Sequence, residues 1–143
     1  MKRKIFAGIV VVLAAFVASF CACAASAPDQ MNFKDFGQYQ NFDKALKSIE
    51  VKWDNGGSCT EFSIGEEKYL NEIVKLFNGT KLHKGDSLAA GDHHSISFVY
   101  ENAAKKDVSL FCIEQGESYY YYDNTDVRDY IRQVGVEKGA LEM

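Results

Sequence analysis

Apolar and polar residues change their period several times along the chain, and each change marks an element boundary. From Ile49 the period is two: Ile49, Val51 and Trp53 share one side while Glu50 and Lys52 share the other, as in a half-buried strand. Asp54-Asn55-Gly56-Gly57-Ser58 follows, made of residues that tolerate turn backbone. Alternation then resumes from Cys59, with Phe62 and Ile64 inward and Glu61 and Ser63 outward, so a β-hairpin is expected. Behind Glu66 and Glu67 the period lengthens. Tyr69, Leu70, Ile73, Val74, Leu76 and Phe77 recur at three and four residues until Asn78-Gly79 closes the run, which predicts the main amphipathic helix.

Residues 80–84 read as a short strand and 85–92 as a polar loop. Ile96, Phe98 and Tyr100 line one face of a strand over residues 95–100, and 101–106 form a turn. Residues 107–113 are apolar on both sides, the pattern of a central strand. After a turn at 114–117 comes a last strand over 118–122. Asp123-Asn124-Thr125-Asp126 offers capping oxygens ahead of Val127, Tyr130, Ile131 and Val134, which predicts a C-terminal helix. Upstream, Asn41 as an N-cap before Phe42, Ala45, Leu46 and Ile49 predicts one or two helical turns. Most connections are too short for parallel crossovers. The expected fold is therefore α+β: a mostly antiparallel sheet of four to five strands, with one central amphipathic helix and a C-terminal helix. The domain spans 41–135, behind a spacer (25–40) whose Phe33, Phe36 and Tyr39 dock on it, and ahead of a frayed tail (136–143).

The opening residues change the picture of where this domain works. Lys2, Arg3 and Lys4 precede 23 uncharged residues, 5–27, the layout of a secretory signal peptide. Ala22-Cys23-Ala24 places small residues for cleavage after Ala24, giving a leader of 1–24. Cleavage after Ala27 is disfavoured because Pro28 would follow the cut. Two alternatives stay open: a lipid anchor on Cys21 or Cys23, and an uncleaved membrane anchor. All three place the domain outside the cytoplasm, secreted or held in the cell envelope.

The whole chain of 143 residues carries 16 Lys and Arg against 20 Asp and Glu. Without Lys2, Arg3 and Lys4, 13 basic residues face 20 acidic ones, a charge of −7. That sign disfavours nucleic acid and anionic lipid as partners, leaving the membrane to an N-terminal anchor alone. Beyond the leader only Cys59 and Cys112 remain. An even count in an oxidising compartment predicts one disulfide, which would close a loop of about 54 residues and stabilise by about 4 kcal/mol.

An Ile-Glu-Val strand, a glycine turn, an amphipathic helix, Ser-Ile-Ser-Phe-Val-Tyr and Tyr-Tyr-Tyr-Tyr before a final helix follow one another behind the leader. In this order the chain resembles the small exported or lipid-anchored α+β domains of unknown function common in Gram-positive bacteria. The resemblance implies an extracytoplasmic location and brings no catalytic residue with it.

Candidate chemistry is sparse. His83, His93 and His94 share a region with Asp86 and Asp92, a donor set suited to zinc. Neighbouring histidines on a strand point to opposite faces, however, and no metal or other cofactor is expected. No Gly-x-Ser-x-Gly elbow occurs, and Glu66 and Glu67 suit a helix start better than acid catalysis. Tyr119, Tyr120, Tyr121 and Tyr122 stand out, because alternation must send two rings to each face of a sheet. One pair suits the core and the other a contact with a protein edge or a sugar. The expected function is an exported, non-enzymatic binding or accessory domain whose partner is an extracytoplasmic protein or glycan. The alternatives are a hydrolase inhibitor presenting loops 54–58 and 85–92, and a metal-dependent hydrolase using His83, Asp92, His93 or His94.

Overall fold

The computed structural model describes residues 27–85 and 93–143. The expected leader, Cys21, Cys23, and most of the loop at 85–92, with Asp86 and Asp92, lie outside the described residues.

The strands are β1 (Gln30–Asn32), β2 (Leu46–Asp54), β3 (Cys59–Ile64), β4 (Lys81–Gly85), β5 (Ser95–Tyr100), β6 (Lys105–Ser109), β7 (Cys112–Gln115) and β8 (Ser118–Tyr122). The helices are α1 (Glu67–Asn78) and α2 (Asp126–Glu137). The α+β class is as expected, but the strands form two antiparallel sheets of four, ordered β3-β2-β5-β6 and β1-β4-β8-β7. The hairpin of β2 and β3 pairs Ile49 with Ile64 and Val51 with Phe62, so the alternating apolar residues do share one face.

The expected central strand at 107–113 is two edge strands, β6 and β7, in different sheets. Ser109 breaks the run: its Oγ accepts the amide N–H groups of Phe111 at 3.1 Å and Cys112 at 3.4 Å. This local bonding competes with a continuous ladder and carries the chain from one sheet to the other, with Leu110 buried between. Two short edge strands and one buried strand present the same apolar density to a sequence reading.

The expected spacer is part of the core. Phe33–Asp35 and Gly37–Tyr39 are single 3-10 turns, and Phe33 and Phe36 are fully buried. Phe33 stacks on Tyr39 at 4.7 Å and meets Phe42, Phe77 of α1 and Phe98 of β5. Phe36 meets Tyr120 edge-on at 5.3 Å. The segment is thus a wedge of aromatic rings between the sheets. The helical turns expected from Asn41 are also replaced. Ala45 takes a left-handed φ of 55°, which stops any helix, and Leu46 already pairs with Tyr100 in β2.

Helix α1 buries Leu70, Ile73 and Phe77 as its stripe predicts. Helix α2 buries Val127, Ile131 and Val134. The tail expected to fray folds back instead: Gly139 turns at φ 72°, and the Ala140 and Leu141 amides both donate to the Gly135 carbonyl. A Cβ on Gly135 would lie 2.7 Å from Leu141 and 2.8 Å from Phe62, so glycine is what lets Leu141 and the β3 side chain close over the helix.

Candidate functional site

Strand β8 lies inside its sheet, between β4 and β7. Tyr120 and Tyr122 stand opposite Ile113 and Leu82 and point inward. Tyr120 is fully buried and its hydroxyl donates to the Pro28 carbonyl at 2.7 Å. The Tyr122 hydroxyl donates to the Ser109 carbonyl at 2.7 Å, and burial pushes its pKa well above the ordinary phenol value. Both inward tyrosines are therefore committed to structure, each with its one polar atom satisfied.

Tyr119 and Tyr121 stand opposite Gly85, His83, Glu114 and Cys112 and share the outward face with them. The Tyr121 ring lies directly over Gly85, where any Cβ would collide with it; glycine is required there by close approach. Phe111, just ahead of β7, meets Tyr121 edge-on at 5.6 Å, and His83 lies 6.2 Å away on the other side. His83 Nδ1 is 2.6 Å from Asp123 Oδ1, and Asp123 Oδ2 accepts Gln30 Nε2 at 3.0 Å. The bond with His83, foremost, holds the Asp123 carboxyl below the usual carboxylate range. Across the sheet runs a row of Phe111, Tyr121, His83, Asp123 and Gln30. A cleft of about 200 Å³ adjoins its aromatic end, lined by Phe111, Tyr121, Asn124, Thr125 and Arg128 among others.

The three histidines occupy three surroundings. His83 is paired with Asp123, and His93 is exposed ahead of β5. His94 is buried, stacked on Trp53 at 3.8 Å, and accepts the Asp54 amide on Nδ1 at 3.0 Å. Among the described residues no group of three His, Cys, Asp or Glu side chains is placed to hold a metal ion. Glu66 is bonded by Lys138, which holds its carboxyl low, a structural use at the entry to α1. The turn at 54–58 is tightly bonded: the Asn55 amide donates to the Ser58 carbonyl, the Gly56 amide to Asp54 Oδ1, and Asn55 Nδ2 to Thr60 Oγ1.

The expected disulfide is absent. Cys59 and Cys112 are free thiols, because each opens an edge strand of a different sheet. Cys59 is exposed opposite Asp54. Cys112 is partly covered beside Tyr121, and burial pushes its thiol up.

Gln30, Gly85 and Phe111 were not singled out by sequence, and Asp123 was read only as a capping residue. Only register could have found them, through the pairing that puts Tyr121 level with both His83, two residues before Gly85, and Cys112 at the start of β7. Among the described residues no helix is long and apolar enough to cross a membrane. No protein-family model, curated protein or solved structure matches the chain.

Proposed function

We propose that the chain is an exported, non-enzymatic binding or accessory domain, and that Tyr119 and Tyr121 on the outward face of β8 form its contact surface. The observation that carries this reading is the division of labour along one strand. Tyr120 and Tyr122 face inward and donate their hydroxyls to the Pro28 and Ser109 carbonyls, whereas Tyr119 and Tyr121 stand on the opposite face, level with Glu114 and His83. Large rings of this kind supply contact area at low ordering cost, and a hydroxyl at the rim keeps them compatible with water. The neighbouring polar row fits the rim of such a patch. The leader supports action outside the cytoplasm.

The test is retention of material from the envelope and culture fluid of the producing cells on immobilised protein. A component held by the native chain should bind the Tyr119→Ser/Tyr121→Ser variant at least about tenfold more weakly, about 1.4 kcal/mol, with the melting temperature of the variant within a few degrees. Unchanged retention by a folded variant would remove the patch from the account.

A further inference from the structure

A second concave site lies away from the tyrosine face, at the open end of the β2–β3 hairpin. Trp53, Asn55, Ser58 and Thr60 form one side of a cleft of about 430 Å³, and Arg132 of α2 with Glu142 of the folded-back tail form the other. That volume lies within the range of small-ligand sites. The cleft is held open by ordered parts: the bonded turn at 54–58 on one side, and on the other the tail pinned to Gly135 by two amide hydrogen bonds.

Trp53 is the single tryptophan of the chain and is only 7% exposed. One face of its ring is taken by His94. Among the described residues its indole N–H makes no hydrogen bond. Among the described residues the Tyr100 hydroxyl alone is a buried side-chain polar atom without a partner, so the indole nitrogen keeps some exposure to solvent, and Trp53 is one of the residues that line the cleft. A nearly buried donor left for solvent is the kind of group a ligand acceptor satisfies.

The other groups define what that ligand is. Asn55 Nδ2 donates to Thr60 Oγ1, which leaves the Asn55 carbonyl as an acceptor and the Thr60 hydroxyl proton as a donor. The Ser58 hydroxyl does either. Arg132 and Glu142 enter no ion pair among the described residues, and their charges offset each other. A wall with balanced charge and interleaved donors and acceptors suits a neutral molecule whose every polar group both donates and accepts, which is the chemistry of vicinal sugar hydroxyls. We propose that the cleft over Trp53 binds the end of a neutral glycan, one or two sugar units long.

Because the chain has one tryptophan, its emission reads the cleft directly. The intact chain is titrated with glucose, galactose, mannose, N-acetylglucosamine and the β-1,4-linked dimers of glucose and N-acetylglucosamine. At least one should shift Trp53 emission saturably, with affinity reduced tenfold or more in Arg132→Ala and in Ser58→Ala. Both substituted residues are exposed, so folding is kept and is checked by circular dichroism. The Tyr119→Ser/Tyr121→Ser variant should bind the same sugar unchanged, which separates this site from the tyrosine face. A panel with no saturable shift would overturn the proposal, as would binding that Arg132→Ala and Ser58→Ala leave intact or that the tyrosine variant abolishes.

Discussion

Replacing Phe33 with alanine will lower the stability of the fold by about 3–5 kcal/mol, the range for deleting a buried phenylalanine ring. Phe33 is fully buried and contacts Tyr39, Phe42, Phe77 and Phe98. Its loss opens a void shared by the aromatic segment, α1 and β5. Those rings come from rigid elements and cannot all close on the space, which keeps the cost high. A domain of this size is stable by only about 5–15 kcal/mol, so the variant should unfold at much lower urea. Gln40→Ala, an exposed neighbour, should fall within about 0.5 kcal/mol of the native chain. Equal small effects of both would mean that Phe33 is not wedged into the core and that its segment belongs to a spacer that adds little to the fold.

Raising the pH should unfold the protein through Tyr122. Its hydroxyl donates to the Ser109 carbonyl at 2.7 Å, and Tyr39 donates to the Asp107 carbonyl at 2.9 Å. Ser109 and Asp107 are two residues apart on the free edge of β6, so two tyrosines cover one edge that would otherwise be open to pairing. Burial pushes the Tyr122 phenol well above its ordinary value, and burial together with Asp107 raises Tyr39. Both groups are held protonated by folding. Their stabilisation is whole below the unfolded phenol value of about 10 and is lost as pH rises from there through the folded values. For the enclosed Tyr122 hydroxyl the slope is about 1.4 kcal/mol per pH unit within that window. Urea unfolding between about pH 9 and 12 measures it. Tyr122→Phe should cost about 1 kcal/mol at neutral pH and flatten the alkaline fall. A fall of the same slope in that variant would place the titrating group elsewhere.

What the sequence made legible was local. Alternation located β2, β3 and β5, and the three-and-four spacing located α1 and α2 within a residue or two, because each of these elements buries one face. Three features were hidden for definite reasons. Phe33, Phe36 and Tyr39 recur every third residue among polar neighbours, and periodicity does not distinguish 3-10 turns wedged between sheets from an irregular spacer. The break at Ser109 depends on one hydroxyl, in a stretch whose composition suits a single buried strand. The separation of Cys59 from Cys112 is a consequence of having two sheets rather than one, and spacing carries no information about that. For the candidate site, the doubling of outward and inward tyrosines was readable from alternation alone. Their partners Gln30, His83, Phe111 and Asp123 required the register of four strands.

The most direct measurement is the order in which tyrosines react with tetranitromethane in the folded chain at mildly alkaline pH, read residue by residue by mass spectrometry. Tyr119 and Tyr121 should be nitrated first, while Tyr120 and Tyr122, which face inward with their hydroxyls bonded to the Pro28 and Ser109 carbonyls, react only after unfolding. Early nitration of Tyr120 or Tyr122, or protection of all four, would contradict a strand split between core and contact surface.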